Sequence, residues 1–234
     1  MKCRGLAMML ALVLTACGSE PEATAPQDNL AAAAAQNDRR QPVVAGPERR
    51  ILAFGNSLFA GYGLDEGQGY PDVLQAALRQ RGINARVIDA GVSGDTSAAG
   101  LQRIEFVLDA QDTLPELALV ELGGNDLLRG ISPAETRENL TAILAELQER
   151  GVPVLLMGMR APPNLGEIYV AEFDGLYPAL AARFGARLVP FFLEPVYDKP
   201  ALIQADRIHP TAEGIEAMVA ATVDDVEKAL PETN

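Results

Sequence analysis

The sequence predicts an α/β fold in which helices cover both faces of a parallel sheet. From residue 50 onward, short apolar runs alternate with longer amphipathic segments, as in a doubly wound parallel sheet of five strands. The third run, ELALVELGG, is apolar nearly throughout, which is typical of a central strand buried on both sides.

The first half of this region predicts three strands and two helices. RILAFG is the first strand, and YPDVLQAALRQRG is the first helix, with Pro71 in its first turn and Gly82 just past its end. ARVIDAG is the second strand and DTSAAGLQRIEFVL the second helix. ELALVELGG then supplies the third strand.

The second half completes the sheet. SPAETRENLTAILAELQERG is predicted to be helical because Ser132 and Glu135 have capping-box spacing and its leucine and isoleucine side chains share one face. VPVLLMGM predicts the fourth strand, residues 179–184 a helix, and ARLVPFF the fifth strand. TAEGIEAMVAATVDDVEKAL closes the chain as a helix.

The first residues of the chain have the pattern of an export signal. Within residues 1–16, Lys2 and Arg4 precede an apolar run that is too short to span a bilayer. The LTAC ending resembles a bacterial lipoprotein signal, which implies acylation of Cys17 and a lipid anchor. Gly18 after it is compatible with the outer membrane of a Gram-negative cell envelope. The alternative is an ordinary cleavage site followed by an incidental cysteine.

The rest of the chain divides into a tether and one domain. Residues 17–48 are predicted to be the acylated cysteine and a flexible tether, because they are rich in Pro, Ala and Gln and lack an apolar period. Residues 49–234 form one predicted globular domain. Cleavage after residue 16 removes Cys3, so no disulfide is expected.

The charge of the chain excludes some classes of partner. The formal net charge is −13, and loss of Lys2 and Arg4 with the first sixteen residues, which contain no acidic residue, makes it −15. Such an acidic balance argues against binding to nucleic acid or anionic lipid through basic patches. We expect a monomer held to a membrane only by its anchor.

Candidate functional residues occur in loops that follow four of the predicted strands. Ser57 follows the first strand, Gly94 the second and Asn125 the third, while Asp206 and His209 follow the fifth. The carboxyl ends of parallel strands form one edge of the sheet, so we expect these loops to meet there.

These residue types fit a hydrolase. A serine such as Ser57 needs a base to take its proton, and His209 is the one histidine in the chain. Asp206, three residues earlier, is placed to fix its tautomer. The backbone N–H groups of Ser57 and Gly94 and the side-chain amide of Asn125 are candidate donors to an oxyanion. Each motif alone is typical of an ordinary turn, whereas the set favours an active site.

The same residues resemble the four sequence blocks of the SGNH hydrolases of the GDSL class. The blocks correspond to Ser57, Gly94, Asn125 and His209, with Asp206 in the Asp-x-x-His block. GVSGDTSAAGLQR, VELGGNDLLRG, PFFLEPVYDKP and DRIHPT resemble the bacterial periplasmic branch described as acyl-CoA thioesterase, lysophospholipase and arylesterase.

This resemblance spans about residues 50–230. It implies a flavodoxin-like three-layer α/β/α sandwich, no metal, no organic cofactor, and hydrolysis of esters and thioesters. A G-x-S-x-G nucleophile elbow is not present around Ser57, which disfavours an ordinary α/β-hydrolase.

One residue departs from the family pattern. The family usually has Asp before the nucleophile, and this chain has Asn56. Because Asn keeps a carbonyl oxygen that accepts the same hydrogen bonds, we expect Asn56 to tune the loop without acting in the chemistry.

Apolar residues around the candidate centre predict a channel for an acyl chain. Arg160, in the loop RAPPNLG, is a candidate for contact with a charged headgroup. Packing in the core is the alternative for most of the apolar side chains. The predicted lining residues are Leu58, Phe59, Leu127, Leu128, Ile131 and Ile208.

The leading hypothesis is therefore a serine ester hydrolase of the cell envelope that acts on a small-molecule ester or lysophospholipid. A carbohydrate O-acetyl esterase and a non-catalytic binding lipoprotein are the alternatives. A flavin-binding domain is disfavoured, because no phosphate loop rich in Ser, Thr and Gly follows the first strand.

Overall fold

The computed structural model describes residues 44–232. The predicted export signal, Cys17 and the tether up to residue 43 lie outside the described residues. The described part contains one sheet of five parallel strands in the order β2-β1-β3-β4-β5. The strands are β1 (Arg49–Gly55), β2 (Ala85–Gly91), β3 (Leu117–Glu121), β4 (Val154–Met157) and β5 (Arg187–Val189).

The helices form two groups. The first and last α-helices pack on each other, and the second, fourth and fifth pack in a row. Every residue of β3 is buried, so helices cover the sheet on both faces and the predicted α/β class is confirmed. The helices are α1 (Tyr70–Gln80), α2 (Ser97–Asp109), α3 (Gly124–Leu128), α4 (Pro133–Glu149), α5 (Glu167–Phe184) and α6 (Ala212–Ala229), with 3₁₀ turns at Pro163–Leu165 and Pro200–Leu202.

The direction in which the sheet grows reverses beside β1. The chain passes from β1 to β2 on one side and then crosses to β3 on the other. Loops that follow strands flanking such a reversal diverge and leave a crevice between them. Gly55 is in register with both Gly91 and Glu121, so the first three strands end at one level.

Side chains cap the helices that border this edge. The Thr96 hydroxyl oxygen accepts a hydrogen bond from the Ala99 N–H at 3.3 Å, at the start of α2. Ser132 caps α4 in the same way, accepting from the Glu135 N–H at 3.2 Å. The N-cap predicted from Ser132 is therefore present.

Three local features differ from the prediction. β5 ends at Val189, because Pro190 has no N–H for the ladder. The predicted loop after β3 contains the short helix α3. Helix α5 was predicted only over residues 179–184, but it extends back to Glu167 and continues through Pro178. Buried side chains on both sides of Pro178 hold the helix in place.

Within residues 44–232, no helix combines the length and apolar character needed to cross a membrane.

Candidate active site

Ser57, His209 and Asp206 meet in a single hydrogen-bonded chain. The Ser57 Oγ lies 2.8 Å from His209 Nε2, although the two residues are 152 positions apart. The other ring nitrogen, Nδ1, lies 2.6 Å from Asp206 Oδ2. Because a carboxylate accepts from Nδ1–H, Nε2 is left with its lone pair toward the serine hydroxyl.

Asp206 is fixed by the turn that carries the histidine. Its Oδ1 accepts from the Ile208 N–H at 2.9 Å and the His209 N–H at 3.0 Å. The hydrogen bond from the His209 side chain, followed by these two N–H groups, lowers the pKa of Asp206 to about 2. Asp206 is therefore ionised throughout the neutral range and favours the tautomer of His209 described above.

Two neighbours of the histidine were not predicted from the sequence. The Tyr62 ring packs on the His209 ring, with centroids 4.5 Å apart. Arg207 has a φ of +63°, the one positive φ among the described non-glycine residues, and it lies between the aspartate and the histidine. Tyr62 lies in the same LAFGNSLFAGYG loop as Ser57, and this proximity in sequence was the available signal.

The three predicted donor residues each carry an N–H group without a hydrogen-bond acceptor in the described part of the chain. In the described part of the chain, the backbone N–H groups of Ser57 and Gly94 have no hydrogen-bond acceptor. Gly94 has a φ of +89°, a conformation that favours glycine. The Asn125 Nδ2 donates to the Asp95 carbonyl at 2.8 Å, which orients the amide and leaves its second N–H available.

Hydrogen bonds from two arginines hold the loop that contains Gly94 in place. Arg103 donates to the Asp95 carboxylate at 2.6 Å and to the Gly55 carbonyl at 2.9 Å, so it ties the loop after β2 to the end of β1. A Cβ on Gly55 would lie 2.8 Å from the Glu121 carbonyl, so only glycine fits there. Arg129 donates to the Gly94 carbonyl at 2.6 Å.

Asp126 anchors the short helix α3 that carries Asn125. Its buried carboxylate accepts from the Ser97 N–H at 2.8 Å, from the Ser97 hydroxyl, and from the Thr136 hydroxyl at 3.2 Å. Asn139 donates to the same Ser97 hydroxyl at 3.0 Å. This network joins α3 to the first turns of α2 and α4.

A cavity of about 250 Å³ opens beside Ser57. Its walls are mostly apolar, with two arginines among the lining residues. It is lined by Asn56, Ser57, Leu58, Gly124, Asn125, Leu127, Leu128, Met159, Arg160, Pro162, Phe191, Leu193, Arg207 and Ile208.

Most of the predicted lining residues are in this cavity. Two predicted lining residues are not. Phe59 is fully buried and stacks on Tyr70, with ring centroids 5.2 Å apart, because it faces the core side of its loop. Ile131 lies outside the lining, where its carbonyl accepts from the Tyr169 hydroxyl at 3.0 Å. The predicted residues in the lining are Leu58, Leu127, Leu128, Arg160 and Ile208.

The segment after β5 also lines the cavity, which was not predicted from the sequence. Phe191 and Leu193 line the cavity because the strand ends before them. The rule that function gathers beyond strand ends would have included them, had β5 been predicted to stop at Pro190.

No set of three or more His, Cys, Asp or Glu side chains within residues 44–232 is arranged to hold a metal ion.

The model of the GDSL-like Lipase/Acylhydrolase family matches residues 53–217, which is most of the chain. The chain belongs to this family. Its catalytic class is ester hydrolysis. The match spans β1 to α6 and includes each residue of the Ser57, Asp206 and His209 chain.

Named relatives agree with this assignment. The chain is 44% identical over 160 residues to Esterase TesA of Pseudomonas aeruginosa, covering 68% of this chain and 79% of the relative. It is 40% identical over 163 residues to Thioesterase 1/protease 1/lysophospholipase L1 of Escherichia coli strain K12, covering 70% and 76%.

A solved structure supports the same fold. AlinE4, an SGNH-hydrolase family esterase, superposes with a TM-score of 0.68 at 68% sequence identity, covering 80% of this chain and all of that chain. The SGNH hydrolase fold expected from the sequence is confirmed.

Proposed function

We propose that the protein is a serine ester hydrolase in which Ser57 attacks the acyl carbon. The observation that carries this proposal is the chain from Ser57 Oγ to His209 Nε2 at 2.8 Å and from His209 Nδ1 to Asp206 at 2.6 Å. These contacts give one hydroxyl a base, and give that base an ionised partner.

The reaction follows from this geometry. His209 takes the hydroxyl proton as Ser57 bonds to the carbonyl carbon, and the carbonyl oxygen becomes an oxyanion. The free N–H groups of Ser57, Gly94 and Asn125 are the proposed donors to it. His209 then gives its proton to the departing alcohol or thiol. A water molecule, deprotonated by His209, then bonds to the acyl carbon. The bond to Ser57 Oγ breaks, His209 returns the proton to Oγ, and the acid leaves.

The cavity supports an acyl chain longer than acetyl as the substrate group. Leu127, Leu128 and Phe191 supply apolar wall beyond the nucleophile, and such walls stabilise methylene groups by their burial. Esters and thioesters of medium acyl chains, aryl esters and lysophospholipids are the proposed substrate classes. The acetyl group of a carbohydrate O-acetyl ester is too short to contact these apolar walls, so the cavity does not favour that alternative.

Arg160 and Arg207 extend this proposal to the charge of the substrate. Both line the cavity, and neither guanidinium has an ion-pair or hydrogen-bond partner within the described residues. Arg160 lies over the Phe191 ring at 5.3 Å, which holds its cation at the cavity wall. We expect esters that carry an anionic group, such as the phosphate of a lysophospholipid, to be favoured.

Hydrolysis of p-nitrophenyl esters by purified protein tests the proposed function. We expect Ser57→Ala to lose activity by about 10³-fold or more, because the nucleophile is gone. Ser132→Ala, at an exposed helix cap, is the matched control and keeps its activity. Activity preserved in Ser57→Ala would exclude the proposal. A preference for acetyl over hexanoyl or octanoyl esters would favour the O-acetyl esterase instead.

We also propose that Cys17 anchors the protein to the cell envelope, on the sequence pattern alone. Fractionation of cells that express the full chain tests this. We expect the wild type in the membrane fraction and Cys17→Ser in the soluble fraction. Equal partition of the two would exclude the anchor.

A further inference from the structure

A buried carboxyl contacts Asn56, the residue before the proposed nucleophile. Glu121 is the last residue of β3, and its side chain is fully buried. Asn56 covers it, with Nδ2 donating to Oε1 at 3.0 Å and the backbone N–H donating to Oε2 at 3.3 Å. Both carboxyl oxygens of Glu121 are therefore bound by one residue.

The opposite side of Asn56 faces the nucleophile. Its Oδ1 accepts from the Leu58 N–H at 3.1 Å and lies 3.4 Å from the Ser57 hydroxyl oxygen. If the amide were reversed, Nδ2 would face the Leu58 N–H and Oδ1 would face the carboxyl of Glu121. Glu121 thus fixes which atom of Asn56 points at the serine loop.

We propose that Glu121 is a positioning residue that acts on Ser57 through Asn56, and that the amide at position 56 keeps this contact intact at pH values where two carboxyls would repel each other. The proposal rests on the proposed function of Ser57 as nucleophile. It also gives a physical role to Asn at position 56, where the resembling family usually has Asp. Two carboxyls at this distance inside the protein would have to share a proton.

The surroundings keep the carboxyl of Glu121 protonated over a wide range. Burial raises its pKa to about 8, against the smaller opposing effect of the two hydrogen bonds from Asn56. From α5, Tyr177 faces this region, and its pKa is raised well above the ordinary value by burial and by the charges of Glu121 and Asp126. From α2, Arg103 donates to the neighbouring Gly55 carbonyl. His209 lies on the other side of Ser57.

The amide at position 56 is the simplest part of the pair to change. In Asn56→Asp the 3.0 Å contact would join two carboxyls. They hold together while they share a proton and repel each other once it leaves, so the serine loop should lose its position as the pH rises. We expect the ratio of kcat in the variant to kcat in the wild type to fall by about two- to tenfold from pH 6 to pH 9.5, with little change in KM.

Exchanging the two groups should restore the pair. In Asn56→Asp combined with Glu121→Gln, the amide lies on β3 and the carboxyl on the loop, so one donor again faces one acceptor. We expect this double variant to recover the wild-type dependence of kcat on pH. Glu121→Gln alone presents one acceptor and one donor to Asn56, as the protonated carboxyl does, but it cannot ionise to accept from both donors. We therefore expect its kcat to fall below that of the wild type only above about pH 8, where Glu121 is ionised.

The experiment measures kcat and KM for a p-nitrophenyl ester from pH 6 to pH 9.5 in the wild type and these three variants. Glu149→Gln, the same change at an exposed residue of α4, is the matched control. An added alkaline loss in Asn56→Asp that the double variant removes supports the proposal. Parallel pH profiles in all proteins, or a loss that the double variant keeps, would overturn it.

Two further arms keep the outcome interpretable. Far-UV circular dichroism establishes that each variant is folded, and if the double variant is not, the profile of Asn56→Asp decides alone. Ser57→Ala, measured in parallel, separates the two proposals. Activity retained by Ser57→Ala means that the proposed function fails, whereas an inactive Ser57→Ala beside parallel profiles means that only the positioning role fails.

Discussion

At the residue scale, the surroundings shift the pKa values of two carboxyls, those of Asp206 and Glu121, in opposite directions. Asp206 is exposed and bound by donors, which lowers its pKa to about 2, whereas burial raises the pKa of Glu121 to about 8. Near neutral pH the carboxyl of Asp206, beside His209, is therefore ionised, whereas the carboxyl of Glu121, beside Asn56, keeps its proton. Each carboxyl contacts one side chain that in turn contacts the Ser57 hydroxyl: His209 for Asp206, and Asn56 for Glu121.

The raised pKa of Glu121 predicts how stability depends on pH. The folded protein keeps this proton up to about pH 8, whereas the unfolded chain loses it near the ordinary value of 4.5. The unfolded state binds fewer protons in this window, so the contribution of Glu121 to stability is full below pH 4.5 and is lost as the pH rises toward 8.

Melting temperatures measured from pH 4.5 to pH 8.5 test this dependence. We expect the wild type to lose more of its melting temperature across the window than Glu121→Gln does. Asp89, whose pKa burial raises to about 6, contributes equally to both proteins and cancels in the difference. Equal slopes for the two proteins would contradict the assignment.

Arg207 offers a clean test of substrate charge. Its φ of +63° suits glycine, so Arg207→Gly removes the cation without straining the turn. For an ester with a phosphate on the alcohol side, we expect Arg160→Gln combined with Arg207→Gly to raise KM by about two- to fivefold.

The matching measurements locate that effect. KM for an uncharged ester of the same acyl chain should not change in the double variant. Arg183→Gln is the control, because Arg183 also lies over an aromatic ring, that of Phe184 at 5.1 Å, but is not part of the cavity. An equal rise in KM for both esters would show that the two arginines do not select substrates by their charge.

At the element scale, the short helix α3 carries Asn125, and the longer helices α2 and α4 hold α3 in position. Helix α3 has only five residues, and its position depends on the bonds of Asp126 to α2 and α4. The helix could not be predicted from GGNDLLRG, because a single turn has too few residues to show a period. Helix α5 shows the opposite case. Proline normally interrupts a helix, but here the packing of buried side chains around Pro178 keeps the helix continuous.

Removing the anchor of α3 should cost stability and activity together. Asp126→Ala leaves the buried N–H and hydroxyl of Ser97 without their acceptor, whereas the Thr136 hydroxyl keeps the Ser132 carbonyl, so we expect the free energy of unfolding to fall by about 2 to 4 kcal/mol. Urea denaturation measures this change. Asp112→Ala, at an exposed loop residue, is the control and should lie within about 0.5 kcal/mol of the wild type. A similar small change for Asp126→Ala would contradict the anchoring role.

At the scale of the whole molecule, the order of the strands is what brings the site together. The reversal beside β1 places the loops after β1 and β3 on either side of a crevice, which brings Ser57 and Asn125 into one cavity. The sequence predicted this meeting because alternating strands and helices leave few topologies, and because residues at strand ends share an edge.

The same reasoning could not distinguish lining from core. Leu58 and Phe59 are adjacent apolar residues of one loop, yet Leu58 faces the cavity and Phe59 the core. Which side an apolar residue takes depends on backbone turns that leave no periodic signal. Glu121 was missed for a related reason, because a charged residue at the end of an apolar strand indicates an exposed edge until the burial around it is known.

Labelling with a fluorophosphonate, followed by mass spectrometry of the digested protein, tests the central claim most directly. A serine paired with His209 at 2.8 Å should react, and the adduct should lie on the peptide that contains Ser57. We expect labelling to be lost in Ser57→Ala and slowed by at least about 10²-fold in His209→Ala. An adduct on another serine, or labelling at the wild-type rate in His209→Ala, would contradict the account.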